Sequence, residues 1–229
     1  MFRFVLGRLS VALLLILVLS FPASAGTLTE KVREHTYPNG LKLLMVERHD
    51  SPTVAAYLAI RVGAVDETSR NRGCAHLLEH MMFKGSGTLG TTDYQREKTI
   101  LDAIERTGGR LDALRDRRKS DPKEMAALAA ALKRLQKEHK KYGGIGFNAS
   151  TSEDLTTFTV SLPANKLELW AAIESDRMQN AVFREFYTER DVVKEERRRS
   201  AESSPASFLY ENLLAAAFTV HPYRHPVIG

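Results

Sequence analysis

The stretch Gly73-Cys74-Ala75-His76-Leu77-Leu78-Glu79-His80 constrains this chain more than any other. Read as a helix, it places His76 and His80 one turn apart on the same face, with Glu79 at the edge of that face. Two imidazoles at that spacing can hold one zinc ion and still leave positions for a third ligand and a water. A carboxylate beside them can take a proton from that water. The order His-x-x-Glu-His is the reverse of the His-Glu-x-x-His zinc helix. The competing explanation is an amphipathic helix carrying two idle surface histidines. Leu77, Leu78, Met81, Met82 and Phe83 argue against it, because they predict a helix that is otherwise buried. Buried polar groups need partners.

A third protein ligand must come from elsewhere, because a catalytic zinc usually takes three plus water. The richest supply is Glu189-Arg190-Asp191-Val192-Val193-Lys194-Glu195-Glu196. Glu189 and Glu196 lie two helical turns apart and share a face, while Glu195 is rotated by roughly 100° from Glu196. Val192 and Val193 mark the buried side and lie within a turn of both Glu195 and Glu196. Spacing therefore leaves the choice between those two open. The Arg197-Arg198-Arg199 run equally fits a salt-bridged surface helix. A purely structural zinc would need a fourth protein ligand, for which Cys74, Glu189 and Glu195 are the candidates.

The remaining chain supplies the frame. Arg3 and Arg8, an uncharged apolar run from Ser10 to Phe21, and Pro22-Ala23-Ser24-Ala25 form a signal peptide over residues 1–25, with cleavage expected after Ala25. The apolar core is short for a membrane span, so no stable span is expected after its removal. Export implies a periplasmic or secreted protein. Cys74 is the only cysteine, which excludes an internal disulfide, and it reads as a small packing residue. The net charge of +5 falls when Arg3 and Arg8 are removed, and no aromatic residues interleave with the basic clusters. Nucleic-acid binding is not expected.

Pro38-Asn39-Gly40 is a turn signal. Strands are expected over 41–47, apolar on both faces and hence covered on both sides, and over 54–62, the two forming a hairpin. A second helix is capped by Thr92 or Asp93 and is expected to stop at Gly108-Gly109. Residues 110–143 are dense in charge. Met125, Leu128, Leu132 and Leu135 form a seam at alternating spacings of three and four. This segment reads as an inserted charged helical hairpin whose first arm is 111–118. A strand follows over 147–162, then helices over 165–182, 185–202 and 208–218. The order predicts an α+β fold: a mostly antiparallel sheet with helices packed on one face. The chain ends after a loop and is expected to be the N-terminal part of a longer domain, residues 26–229.

Three motifs in order complete the picture: His76-Leu77-Leu78-Glu79-His80 followed by Met82-Phe83-Lys84-Gly85, then Asn148-Ala149-Ser150-Thr151, then Glu189 to Glu196. Together they resemble the inverzincins, the pitrilysin, insulinase and mitochondrial-processing-peptidase family. The resemblance implies that one zinc ion is held by His76, His80 and Glu196, that Glu79 is the general base, and that Glu189 supports a ligand from behind. It implies that Asn148, Ala149 and Ser150 lie on an edge strand that pairs with the substrate backbone. It also implies a second homologous half, or a partner subunit, that closes the chamber, so the fragment alone is expected to be inactive. The His80-to-Glu196 gap is longer than the family usually shows, and the hairpin accounts for most of the excess. The expected activity is zinc-dependent endopeptidase action on peptides or small unfolded proteins in the cell envelope. The alternative is a non-catalytic family subunit for assembly or peptide binding.

Overall fold

The computed structural model describes residues 28–117, 121–139 and 148–229. The expected signal peptide, its cleavage point, the tip of the charged hairpin and the glycine-rich return to the main fold lie outside the described residues. The chain divides into two compact units, Met1–Pro52 and Thr53–Gly229.

In the first unit a single helical turn, α1 (Leu28–Lys31), precedes strands β1 (Val32–Thr36) and β2 (Lys42–Val46). They pair antiparallel, with Thr36 opposite Lys42 and Val32 opposite Val46. The Pro38-Asn39-Gly40 signal makes this turn: Tyr37 N donates to Leu41 O at 2.8 Å and Gly40 N to Tyr37 O at 2.9 Å. Two expectations fail here. β2 pairs with β1, and the two form a two-stranded sheet of their own among the described residues. All five β2 residues are also exposed, because a two-stranded sheet has no second layer within its own unit.

The second unit carries strands β3 (Thr53–Ile60), β4 (Asn148–Thr151) and β5 (Thr156–Pro163) in the order β3-β5-β4. β3 and β5 match residue for residue, from Thr53 opposite Pro163 to Ile60 opposite Thr156. The strand expected over 147–162 is split in two by a turn at Ser152-Glu153-Asp154, where Ser152 N donates to Leu155 O at 2.8 Å. Burial alternates along both long strands. Val54, Ala56, Leu58 and Ile60 face inward opposite Leu162, Val160, Phe158 and Thr156, while Tyr57 on the other face is 72% exposed. The same period of two turns Ala149 and Thr151 of β4 inward and leaves Asn148 and Ser150 exposed. Helices cover one face only: Phe83, beside the first helix of this unit, lies 5.9 Å from Phe158, and Arg177 stacks 4.6 Å over that ring.

Those helices are α2 (Cys74–Met82), α3 (Tyr94–Arg115), α4 (Pro122–His139), α5 (Leu167–Asn180), α6 (Phe186–Arg197) and α7 (Pro205–Ala217). Asp93 caps α3 as expected, accepting from Arg96 N at 3.1 Å. The expected stop at Gly108-Gly109 does not occur; α3 runs on to Arg115. Each glycine costs a helix roughly 1 kcal/mol relative to alanine, and packing offsets that cost. A Cβ on Gly108 would lie 2.0 Å from the Tyr187 ring, so the glycine is a notch that seats this tyrosine. The Met125-Leu128-Leu132-Leu135 seam of α4 packs on Ile100, Ile104 and Leu111 of α3 and on Phe186 and Tyr187 of α6. Its partner is therefore wider than the 111–118 arm expected, and the charged hairpin contributes to the core. Among the described residues no helix is long and apolar enough to cross a membrane.

Candidate metal centre

The residue before α2, Gly73, adopts φ 83°, and a Cβ there would lie 2.6 Å from Ile228 O. Both facts call for glycine. The helix start is satisfied from outside: the Glu67 carboxylate accepts from Gly73 N and from Ala75 N, each at 2.7 Å. An anion at a helix N-terminus is also favoured by the helix dipole. Met81 is 2% exposed and anchors the inner side of α2. Cys74, expected to be a packing residue, is exposed at the first position of the helix.

From this helix His76 and His80 project with ring centroids 4.9 Å apart. Glu196, near the end of α6, meets both: its Oε2 lies 3.9 Å from His76 Nε2 and 3.8 Å from His80 Nε2. One ligand atom from each of the three falls within 4.8 Å of the others. These separations exceed hydrogen-bonding distance. They suit donors arranged around one ion at zinc–ligand bonds of about 2.0–2.2 Å, whose tetrahedral edges are roughly 3.4 Å. Two imidazoles and a carboxylate are also a zinc-type donor set, so the residues fit the metal. Glu195 does not join them. It is exposed and pairs with Arg198 at 3.1 Å and Arg199 at 3.7 Å.

The two histidines are supported unequally. His80 Nδ1 lies 3.2 Å from Glu189 Oε2. A carboxylate only accepts, so Nδ1 is the donor and Nε2 is left to face Glu196. Burial alone would raise the Glu189 carboxyl, but hydrogen bonds from Lys84 and His80 outweigh it and hold it below the usual carboxylate range. For Lys84, burial pulls the ammonium down, and the hydrogen bonds and charges of Glu189 and Glu185 more than reverse this. His76 Nδ1, by contrast, is buried with no hydrogen-bond partner among the described residues.

Glu79 is buried and accepts a 2.5 Å hydrogen bond from Thr151 Oγ1, an inward-facing residue of β4. This bond joins the helix to the strand carrying Asn148, Ala149 and Ser150. β4 is an edge strand, paired with β5 on one side only among the described residues. Ser150 Oγ lies 2.9 Å from Thr157 Oγ1 across that pair.

The sequence profile described as Insulinase (Peptidase family M16) matches residues 42–120 and 126–229. The chain belongs to the insulinase family. It is similar to the zinc protease PqqE of Helicobacter pylori, at 25% identity over 96% of this chain and 41% of that protein. It is also similar to the crystal structure of a protease from Helicobacter pylori, with a TM-score of 0.60 and 25% identity over 87% of this chain and 38% of the other. The periplasmic protease PqqL from Escherichia coli is matched with a TM-score of 0.51 and 25% identity, over 85% of this chain and 18% of that one. The chain thus spans less than half the length of each of these relatives.

Four residues around these three donors carry structural work that the sequence did not assign to them: Thr151, Lys84, Glu97 and Arg184. The first two sit inside quoted motifs without a role. The Arg184 guanidinium meets the Glu97 carboxylate through two bonds, Nε to Oε1 at 2.7 Å and Nη2 to Oε2 at 2.8 Å. It also donates to Lys84 O at 2.8 Å, Ser86 O at 2.7 Å and Leu89 O at 3.3 Å. Arg184 therefore ties the turn after α2 to α3 and to the start of α6. A buried Glu and a buried Arg are each a signal only once both are known to be inside.

Proposed function

We propose that this chain carries the catalytic metal centre of a zinc-dependent endopeptidase of the insulinase family, with one zinc ion held by His76, His80 and Glu196. The observation that carries the reading is the meeting of three donor atoms, from two separate helices, at spacings too long for hydrogen bonds and suited to a shared ion. Bound there, zinc would polarise a scissile carbonyl and make an adjacent water more acidic.

The chain's own residues do the rest. Glu79 takes the proton of the attacking water and delivers it to the leaving amine. Thr151 Oγ1 holds one oxygen of that carboxylate and so fixes its direction. Glu189 orients His80 through Nδ1. The substrate adds as a strand along Asn148, Ala149 and Ser150, so backbone hydrogen bonds bind it without strong sequence demand. That mode fits extended peptides and small unfolded proteins. A second homologous half or partner subunit closes the chamber; the short span of this chain relative to its relatives supports this. The basic, apolar and Ala-x-Ala pattern of residues 1–25 supports export to the cell envelope.

Treating the full-length protein with a chelator is expected to abolish cleavage of an unstructured peptide, and zinc is expected to restore it. Undiminished cleavage in the metal-free protein would overturn the proposal.

A further inference from the structure

Lys84 lies two residues beyond α2, in the turn held by Arg184. Its Nζ is 2.6 Å from Glu189 Oε1 and 3.0 Å from Glu185 Oε2. All three side chains are largely buried, at 19%, 16% and 25% exposure. The other oxygen of Glu189 is the one that meets His80 Nδ1. A continuous chain thus runs from Glu185 through Lys84 and Glu189 to His80.

Two further observations give this chain a purpose. Glu185 is the only non-glycine residue with positive φ among the described residues, at 58°. That conformation is strained for a residue with a Cβ and persists only where its surroundings impose it. Here Arg184 is clamped on one side of it and Lys84 holds its side chain. Second, His76 Nδ1 has no partner among the described residues, so Glu189 provides the one bond seen to fix either imidazole through Nδ1. An ammonium is a compact charge with three donors, able to serve two carboxylates from different directions. Its bond to Oε1 sets the carboxylate plane and so aims Oε2 at His80.

We infer that Lys84 is a positioning residue, which acts through Glu189 to lock the tautomer and orientation of His80 for metal binding. This rests on the reading of His76, His80 and Glu196 as the zinc ligands.

The test is zinc affinity by chelator competition in the full-length protein, for wild type, Lys84→Met, Lys84→Gln, Lys84→Arg, Glu189→Gln and the double variant Lys84→Met/Glu189→Gln. Partners behind a metal ligand typically change affinity 10–100-fold. Lys84→Met should weaken zinc binding by about 10-fold, and Lys84→Arg should recover part of the loss. Lys84→Gln keeps a polar donor without the charge and carries the same expectation as Lys84→Met, should the latter fold poorly. The double variant should bind no more weakly than Glu189→Gln alone, because Lys84 has nothing left to act through. Wild-type affinity in the Lys84 variants would overturn the inference. So would a double variant whose loss equals the product of the two single losses, since that marks a general structural effect. If wild type itself bound no zinc, the reading of the three ligands would fail instead.

Discussion

A Glu79→Gln variant of the full-length protein is expected to keep its zinc and to lose peptide hydrolysis by at least about 10²-fold, the lower end of what a positioned general base contributes. The two halves of this expectation have separate causes. Gln matches Glu in shape and still offers an oxygen to Thr151 Oγ1, so α2 and β4 stay joined. Glu79 is also outside the trio of donor atoms that meet, so the metal is retained. What the amide cannot do is take a proton. The measurement is kcat/KM on an unstructured peptide alongside metal content. Near-wild-type turnover with zinc bound would remove Glu79 from the chemistry. Loss of zinc together with activity would show that it acts on the site's integrity.

The second large effect concerns stability. Arg184→Met is expected to destabilise the fold by about 3–5 kcal/mol, the range for removing one partner of a buried ion pair. Glu97 is 0% exposed and Arg184 3%, so the carboxylate would lose both of its bonds to the guanidinium at a position closed to water. The carbonyls of Lys84 and Ser86 would lose the guanidinium donor at the same time, while Leu89 O would keep its 3.0 Å bond from Ser86 N. Adding Glu97→Met should recover part of the loss, because it removes a buried charge that has lost its guanidinium. It should not recover all of it, because Lys84 O and Ser86 O still lack the guanidinium donor. Denaturant unfolding of the single and double variants measures both. A cost below about 1 kcal/mol for Arg184→Met would contradict the clamp.

How much of this was legible in the sequence depends on distance along the chain. The spacing of His76 and His80 is a local fact, and a helix converts it directly into a shared face. Glu196 is harder. Both Val192 and Val193 read as buried, which left Glu195 and Glu196 equivalent. In the structure Val193 is 8% exposed and Val192 43%. One buried valine is enough to choose: Glu189, Val193 and Glu196 follow the four-then-three spacing of one face, and Glu195 falls off it. The resemblance to the insulinase family made the same choice without geometry.

The clearest misreading arises where a partner far along the chain overrides a local signal. Gly108-Gly109 has the composition of a helix end, and only Tyr187 explains why the helix continues through it. The single strand expected over 147–162 is two strands, because Ser152 and Leu155 close a turn that the β-branched run around it does not announce. Lys84 and Arg184 drew no role from the sequence, because nothing local announces that a charge is buried and paired. The turn after α2 is built largely from such distant partners, so its support was the least legible part of the site.

The most direct test is the zinc content of the purified full-length protein and its Glu196→Ala variant after removal of loosely bound metal. One zinc per chain is expected in the wild type and far less in the variant, because the proposed site depends on Glu196 to join α6 to the two histidines of α2. Equal zinc in both proteins, or none in the wild type, would contradict it.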